Sequence, residues 1–383
     1  MKNVLYSNKY LFIYVTIEKL GSIEIKQMEY VRTEIIEVNA KYPEPGVIER
    51  AAKLLHAGEI VVFPTETVYG LGAGAFQTSA LERIFVAKGR PYSDPLIVHI
   101  ADVQELELLT AQIPQEAKRL AQKFWPGPLT LILPKGARVP HLVTAGLETV
   151  AVRMPRHAVA LALINALGSP IAAPSANRFM HVSPTTAHHV YTDLSGNVPL
   201  ILDSGPCEIG VESTVLDLCS DEPRILRPGG IGLEALRTIL PGVQPPIPKN
   251  QADEVEESLA KKAPGQLLMH YTPNVPLFLF NGAIEEMHTS MLAEIERRHA
   301  RGERVGILVA EEDIPTFQDT QALVYSVGRE NDLLQVAAHL FAGLRALEEA
   351  HVEVILCRNF GAQGLGLAIR DRLLKAAGGK FRE

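Results

Sequence analysis

One stretch divides this chain more sharply than any other. Residues 240–264 read LPGVQPPIPKNQADEVEESLAKKAP, proline-rich and then charged, with almost no apolar periodicity. Proline withholds a backbone donor, and a segment so poor in apolar residues cannot bury enough surface to offset the entropy of ordering. Such a stretch connects folded units instead of forming one. A chain of 383 residues with 47% hydrophobic content has enough apolar material for a core on each side of it. The expected organisation is an N-terminal extension and first strand (1–45), a larger domain (46–239), a connector (240–274) and a smaller domain (275–383).

Before the connector, short apolar runs alternate with amphipathic ones. Residues 46–57 have helical spacing of Val47, Ala51, Leu54 and Leu55 and stop at Gly58. Residues 79–88 read as a second helix with Ser79 near its N-cap, and 114–124 and 161–167 as further helices. Short strands are expected at 31–38, 60–63, 96–100, 129–133, 149–153, 170–173, 200–203, 213–217 and 224–227, with 64–72 as a loop. This mixture predicts an α/β fold, α+β-like, with a mixed, twisted sheet. After the connector, runs at 277–280, 304–308, 322–326 and 352–356 alternate with helical patterns such as 333–350. That predicts a smaller, Rossmann-like parallel α/β domain.

Composition excludes several classes. The net charge of -7 makes the whole molecule no polycation, so a nucleic-acid partner would need a local basic patch. Cys207, Cys219 and Cys357 have no CxxC spacing, which suits a reducing compartment and argues against a thiolate zinc site. No apolar run is long enough for a membrane span. Residues 4–17 are interrupted by Asn8 and Lys9 and lack a small-residue cleavage site, so a cytoplasmic enzyme is expected. Residues 1–27 read either as a misassigned start, with Met28 as the true one, or as a natural extension. Without any motif, they are expected to be dispensable for folding and activity.

The chemistry lies between the strands. No G-x-x-x-x-G-K-[ST] is present, so a P-loop is excluded. Gly70-Leu71-Gly72-Ala73-Gly74 has the wrong spacing for a dinucleotide site and reads better as tight backbone packing. Gly364 and Gly366 alone are a weak dinucleotide signal. His188 and His189 read as ordinary surface histidines, with no carboxylate at metal-ligand spacing. Lys88-Gly89-Arg90-Pro91 sets a point charge and a planar fork on a rigid turn, suited to phosphate or carboxylate. Helix-dipole complementarity alone would also account for such a pair. Arg153 ends an apolar strand, a position that often faces a cleft. Ser175 and Asn177, two residues apart among small neighbours, supply neutral donors and acceptors on one face. Ser183-Pro184-Thr185, Glu212-Ser213-Thr214 and Arg227-Pro228-Gly229-Gly230 are each common turns. Together these segments make a site of hydroxyls, amides and cations without a nucleophile triad, better suited to adenylyl transfer than to hydrolysis.

The Lys-x-Arg of Lys88 and Arg90, followed by the Ser-x-Asn of Ser175 and Asn177, resembles the signature tetrad of the YrdC-like domain family. PTETVYGLG, KGRP…PLIVHI, FWPGPLTLIL, VAVRMP, APSAN, ESTV and ILRPG resemble that family's blocks in order, across residues 46–236. Residues 263–273, which include His270 and Tyr271, resemble the connector of its long form, and the remainder resembles its C-terminal domain. The sequence departs from the pattern at Arg178-Phe179-Met180-His181, where the family more often has a small Ser-Gly pair.

The resemblance implies a threonylcarbamoyl-adenylate synthase. Threonine's amine would capture carbon dioxide from bicarbonate, and the carbamate would attack the α-phosphorus of ATP. A separate threonylcarbamoyl transferase machinery would then modify the adenosine beside the tRNA anticodon. Carried over residue by residue, Lys88, Arg90, Ser175 and Asn177 would be catalytic. The nucleotide would be held by Lys88, Arg90, Tyr92, Thr149, Ser175, Asn177, Ser183, Arg227 and Tyr271. Threonine would be held by Thr65, His99, Arg153, Ala173 and Ser213. Mg²⁺ would accompany the triphosphate, with no protein ligand to name. The product is a water-labile mixed anhydride, so the connector and second domain are expected to gate the site, with Tyr271 or else His270 reaching the nucleotide. The alternatives are an RNA-binding module making direct tRNA or RNA contact, and carbamoyl transfer to another acceptor, as in hydrogenase-maturation proteins with this domain.

Overall fold

The computed structural model describes residues 31–247, 271–379 and 381–382. The expectations for residues 1–27, for Met28 and for His270 lie outside the described residues.

Ten strands build the larger unit: β1 (Glu34–Glu37), β2 (Val61–Phe63), β3 (Gly70–Gly74), β4 (Ile97–His99), β5 (Leu129–Pro134), β6 (Thr149–Arg153), β7 (Ile171–Ala173), β8 (Leu200–Asp203), β9 (Thr214–Asp217) and β10 (Arg224–Arg227). They form one mixed sheet in the order β1-β8-β2-β3-β7-β4-β6-β5-β9-β10. The helix Pro45–His56 starts with proline in its first turn and buries Ile48, Ala51, Ala52 and Leu55. These pack with Val159, Leu163 and Leu167 of the helix Ala158–Leu167 and with Phe63 and Ile171 of the sheet.

Strand periodicity decides where a site can form. Val98, Leu131, Leu133, Val150, Val152, Leu216 and Ile225 point into the main helix-covered core. Their alternates Ile97, Ile132, Ala151, Val215 and Leu226 form a separate apolar floor on the opposite face. His99 and Arg153 continue that second face at the ends of parallel neighbours β4 and β6, in direct register. Both side chains therefore emerge together at one edge of the floor.

The structure corrects three sequence readings. Gly70–Gly74 is a fully buried strand, not the end of a loop. A Cβ on Gly72 would stand 2.7 Å from Ile171 Cγ2 and from Phe63 Cε1, so close packing explains the glycine. His189 is buried, with Nδ1 accepting the Thr185 backbone N–H at 3.2 Å, while its neighbour His188 stays exposed. The helix expected at 79–88 starts one residue earlier, at Thr78, with Gln77 as its N-cap and Ser79 in its first turn.

The smaller unit is a five-stranded parallel sheet of β11 (Leu277–Phe280), β12 (Val305–Val309), β13 (Leu323–Ser326), β14 (Val354–Arg358) and β15 (Phe381–Arg382). Its order is β13-β12-β14-β11-β15. The helix Ile284–His299 covers one face through Met287, Met291 and Ile295. The helices Leu333–Glu349 and Leu365–Ala376 cover the other through Leu340, Phe341, Leu344, Ile369 and Leu373. That second core also takes in Val68, Val182, Ile209 and Val211 of the larger unit, so the two units share one apolar cluster.

Candidate active site

Five strand ends meet beside the apolar floor. His99 and Arg153 close β4 and β6. Ala173 ends β7, which runs antiparallel to β4, and Gly70 at the start of β3 bridges to Ser175. Arg227 ends β10. A cavity lies between them. Its lining includes Thr65, Thr67, His99 and Arg153, which neighbour one another, together with Ala173, Arg90, Ser175, Glu212, Arg227 and Tyr271.

Arg153 is held on three sides. Its Nη2 lies 2.7 Å from Glu66, Nη1 donates to Thr67 Oγ1 at 2.9 Å and Nε donates to Gly127 O at 3.3 Å. Thr65 Oγ1 pairs with Thr67 Oγ1 at 2.9 Å and donates to Val68 O, closing a hydroxyl turn under the guanidinium. Burial, reinforced by Arg153, pushes the His99 imidazole down to about 3. His99 is thus neutral, and its buried Nδ1 has no hydrogen-bond partner among the described residues.

Arg90 pairs with Asp94 at 3.0 Å and donates to the carbonyls of Asp94 and Pro95. Gly89, at φ 65, provides the left-handed cap that turns the chain from Lys88 to Arg90. Arg227 donates from Nε and Nη2 to Ser213 O. Tyr271 arrives across the connector. Its ring stacks on Phe341 at 5.6 Å, and the N–H of Thr272 donates to Met180 O at 2.9 Å. Met180 takes a left-handed φ of 67, inside the segment that departs from the family pattern.

The other expected residues stand behind or away from this wall. Lys88 donates its ammonium to Ser175 O at 2.6 Å, to Asn177 O and to Asn177 Oδ1. Burial pulls its pKa well below the usual lysine range. Asn177 donates to the Arg178 and His181 carbonyls and accepts from Ser175 Oγ, so Lys88 and Asn177 together shape the loop that presents Ser175. Ser183 donates to Glu212, and Ser213 pairs with Thr130 at 2.8 Å. Thr149 shares the face of Arg153 but sits at the opposite end of β6. Tyr92 is exposed and packs on Phe85, ring centroids 4.9 Å apart.

Sequence reasoning assigned no role to Thr67, Glu66 or Arg372, and Glu212 entered only as part of a turn. Thr67 and Glu66 lay in plain view inside PTETVYGLG. Arg372 had a signal too: it shares the apolar stripe of Ala368, Ile369 and Leu373 on its helix.

Residues 53–229 match the family model described as telomere recombination, Sua5_yciO_yrdC. Residues 231–378 match that of the threonylcarbamoyl-AMP synthase C-terminal domain. A threonylcarbamoyl-AMP synthase of Bacillus subtilis is 47% identical over 334 residues, 87% of this chain and 93% of that protein. One from Pyrococcus abyssi is 42% identical over 348 residues, 90% of this chain and 98% of that protein. The crystal structure of P. abyssi Sua5 complexed with L-threonine superposes with a TM-score of 0.84, covering 91% of this chain and 98% of that one at 42% identity.

Proposed function

We propose a division of labour within the site from one premise: this chain belongs to the family of two-domain threonylcarbamoyl-AMP synthases. It joins L-threonine, bicarbonate and ATP into threonylcarbamoyl-adenylate and releases pyrophosphate, supplying the precursor of threonylcarbamoyladenosine in tRNA.

The observation that carries the division is the neighbourhood of each cation in a single cavity: Arg153 stands with Thr67 and His99, whereas Arg90 and Arg227 stand near Tyr271. The P. abyssi relative was crystallised with L-threonine, and in this chain the surroundings of Arg153 offer what that amino acid requires. A guanidinium meets the carboxylate, and the Thr65 and Thr67 hydroxyls and the neutral His99 Nδ1 meet the remaining polar groups. Arg90, Ser175, Arg227 and Tyr271 take the nucleotide, with Lys88 and Asn177 holding Ser175 in place. Threonine's amine, as a carbamate, then presents an oxygen to the α-phosphorus. A new P–O bond forms there, the bond to the β-phosphate oxygen breaks, and pyrophosphate leaves with the electron pair. Bringing two anions together is the main electrostatic obstacle, and cations beside each substrate offset it before and during the transfer.

Among the described residues, no group of three or more His, Cys, Asp or Glu side chains converges on a metal position. Magnesium would enter on the ATP phosphates, where it offsets phosphate charge. Among the described residues no helix is long and apolar enough to cross a membrane. We place the enzyme in the cytoplasm, upstream of a separate threonylcarbamoyl transferase. The catalytic unit is assigned to 46–239, the connector to 240–274 and the second domain to 275–383.

Initial-rate kinetics on Arg153→Met and Arg227→Met test the division. Arg153→Met should raise the KM for threonine about tenfold or more and leave that for ATP nearly unchanged, and Arg227→Met should do the reverse. Equal effects on both substrates in either variant would refute the assignment.

A further inference from the structure

Glu212 is an unexpected residue in the wall of a site for polyanions. The residue lines the cavity together with Arg227 and Tyr271 and is only 5% exposed. Left alone, its charge would oppose a triphosphate across a poorly screened space. Both oxygens are occupied. Ser183 Oγ donates to Oε1, and Arg372 Nε donates to Oε2 at 2.7 Å. Burial would raise the carboxyl's pKa, but Arg372, Arg227 and the Ser183 hydrogen bond together hold it below the ordinary range.

Arg372 comes from the other domain, on the helix Leu365–Ala376, and is 1% exposed. Its Nη2 donates to Pro228 O at 3.0 Å, and its Nη1 donates to Asp371. Its guanidinium carbon lies 4.9 Å from the centre of the Tyr271 ring. One side chain thus touches two members of the cavity wall. A buried ion pair is often no more stabilising than apolar residues of the same volume, so packing alone does not explain an arginine here.

We propose that Arg372 is a positioning residue for the nucleotide. It neutralises Glu212 and seats Tyr271, so that the wall shared by the two domains accepts a polyanion. The proposal rests on assigning Arg90 and Arg227 to ATP. Without Arg372, Glu212 keeps its charge and repels the phosphates, while threonine, bound at Arg153, is much less affected.

The test is initial-rate pyrophosphate release by full-length Arg372→Met, Arg372→Lys, Glu212→Gln/Arg372→Met and Arg227→Met, with ATP and threonine varied separately and thermal midpoints recorded. Arg372→Met should raise the KM for ATP about tenfold and that for threonine no more than about twofold. Adding Glu212→Gln should bring the ATP KM back to within about threefold of wild type, because the stranded carboxylate is gone. Arg372→Lys keeps the charge but loses the planar fork. Should Arg372→Met not fold, Arg372→Gln and Glu212→Gln/Arg372→Gln replace it, and an ATP-selective rise in the first that the second relieves supports the proposal. Failure of Glu212→Gln to relieve the defect, or equal rises in both KM values tracking a lowered thermal midpoint, overturns it. If Arg227→Met raises the ATP KM and Arg372→Met does not, only this proposal falls. If Arg227→Met has no effect on ATP, the underlying nucleotide assignment falls as well.

Discussion

Arg345 Nη2 lies 2.8 Å from Asp193 Oδ2, joining the helix Leu333–Glu349 of the smaller domain to the helix Ala187–Leu194 of the larger one. The pair is buried, and Arg345 also donates to Val182 O. Removing one partner of such a pair strands the other, so Arg345→Met should cost about 3 kcal/mol of unfolding free energy by chemical denaturation. A loss under about 1 kcal/mol would show that the apolar cluster around Phe341 and Val182 holds the domains together without this pair.

His181 makes the same junction sensitive to pH. Its Nδ1 lies 3.0 Å from Asp193, and its Nε2 lies 3.2 Å from Glu348 and 3.3 Å from Asn274. Burial alone would lower its pKa and Arg345 opposes protonation, but the hydrogen bonds to Asp193 and Glu348 win and raise it above 6.5. A raised pKa means that the stabilisation is complete below 6.5 and is lost as pH climbs through the folded-state value. Denaturation midpoints should therefore fall as pH rises above 6.5, and His181→Gln should flatten that slope. An unchanged slope in the variant would exclude His181 as its source. Arg178 Nε also lies 3.7 Å from Asp193 Oδ1.

Lys88→Met should lower kcat/KM by about two to three orders of magnitude, on the scale of losing one preorganised electrostatic contact. The expected route is indirect, because the ammonium holds the carbonyls of Ser175 and Asn177 and so fixes the Ser175 loop. Amide hydrogen exchange across 174–181 should accelerate in the folded variant. Normal exchange combined with lost activity would mean that Lys88 acts on substrate directly.

Gly72→Ala should destabilise the larger domain by about 1–3 kcal/mol, since the new methyl meets Ile171 and Phe63 in a packed sheet. Gly46→Ala, where nothing lies within 4 Å, is the control and should be close to neutral. Equal midpoints for the two variants would contradict the packing account of the glycine-rich strand.

The elements themselves were legible because strands and helices write their periods into adjacent residues, as in the run ending at Arg153. The sheet order was not, since β1 pairs with β8 and β5 with β9 across long gaps in sequence. Arg153, Arg90 and Tyr271 were readable from their motifs, and the cavity brings them together. The indirect placement of Lys88 was hidden, because a lysine facing three carbonyls and a lysine facing a phosphate have the same sequence. Arg372 and Glu212 were missed because their meaning comes from each other, 160 residues apart. His189 looked like a surface residue until the neighbouring domain was packed against its helix.

One cavity joins threonine to a nucleotide, and product analysis tests this most directly. Purified full-length protein should be incubated with ATP, bicarbonate and magnesium, with and without L-threonine, and its products separated by chromatography. The account predicts threonylcarbamoyl-adenylate and pyrophosphate in equal amounts, formed only when threonine is present, and both lost in Arg153→Met at low threonine. Pyrophosphate release that is independent of threonine, or a threonine-dependent product that contains no adenylate, would contradict it.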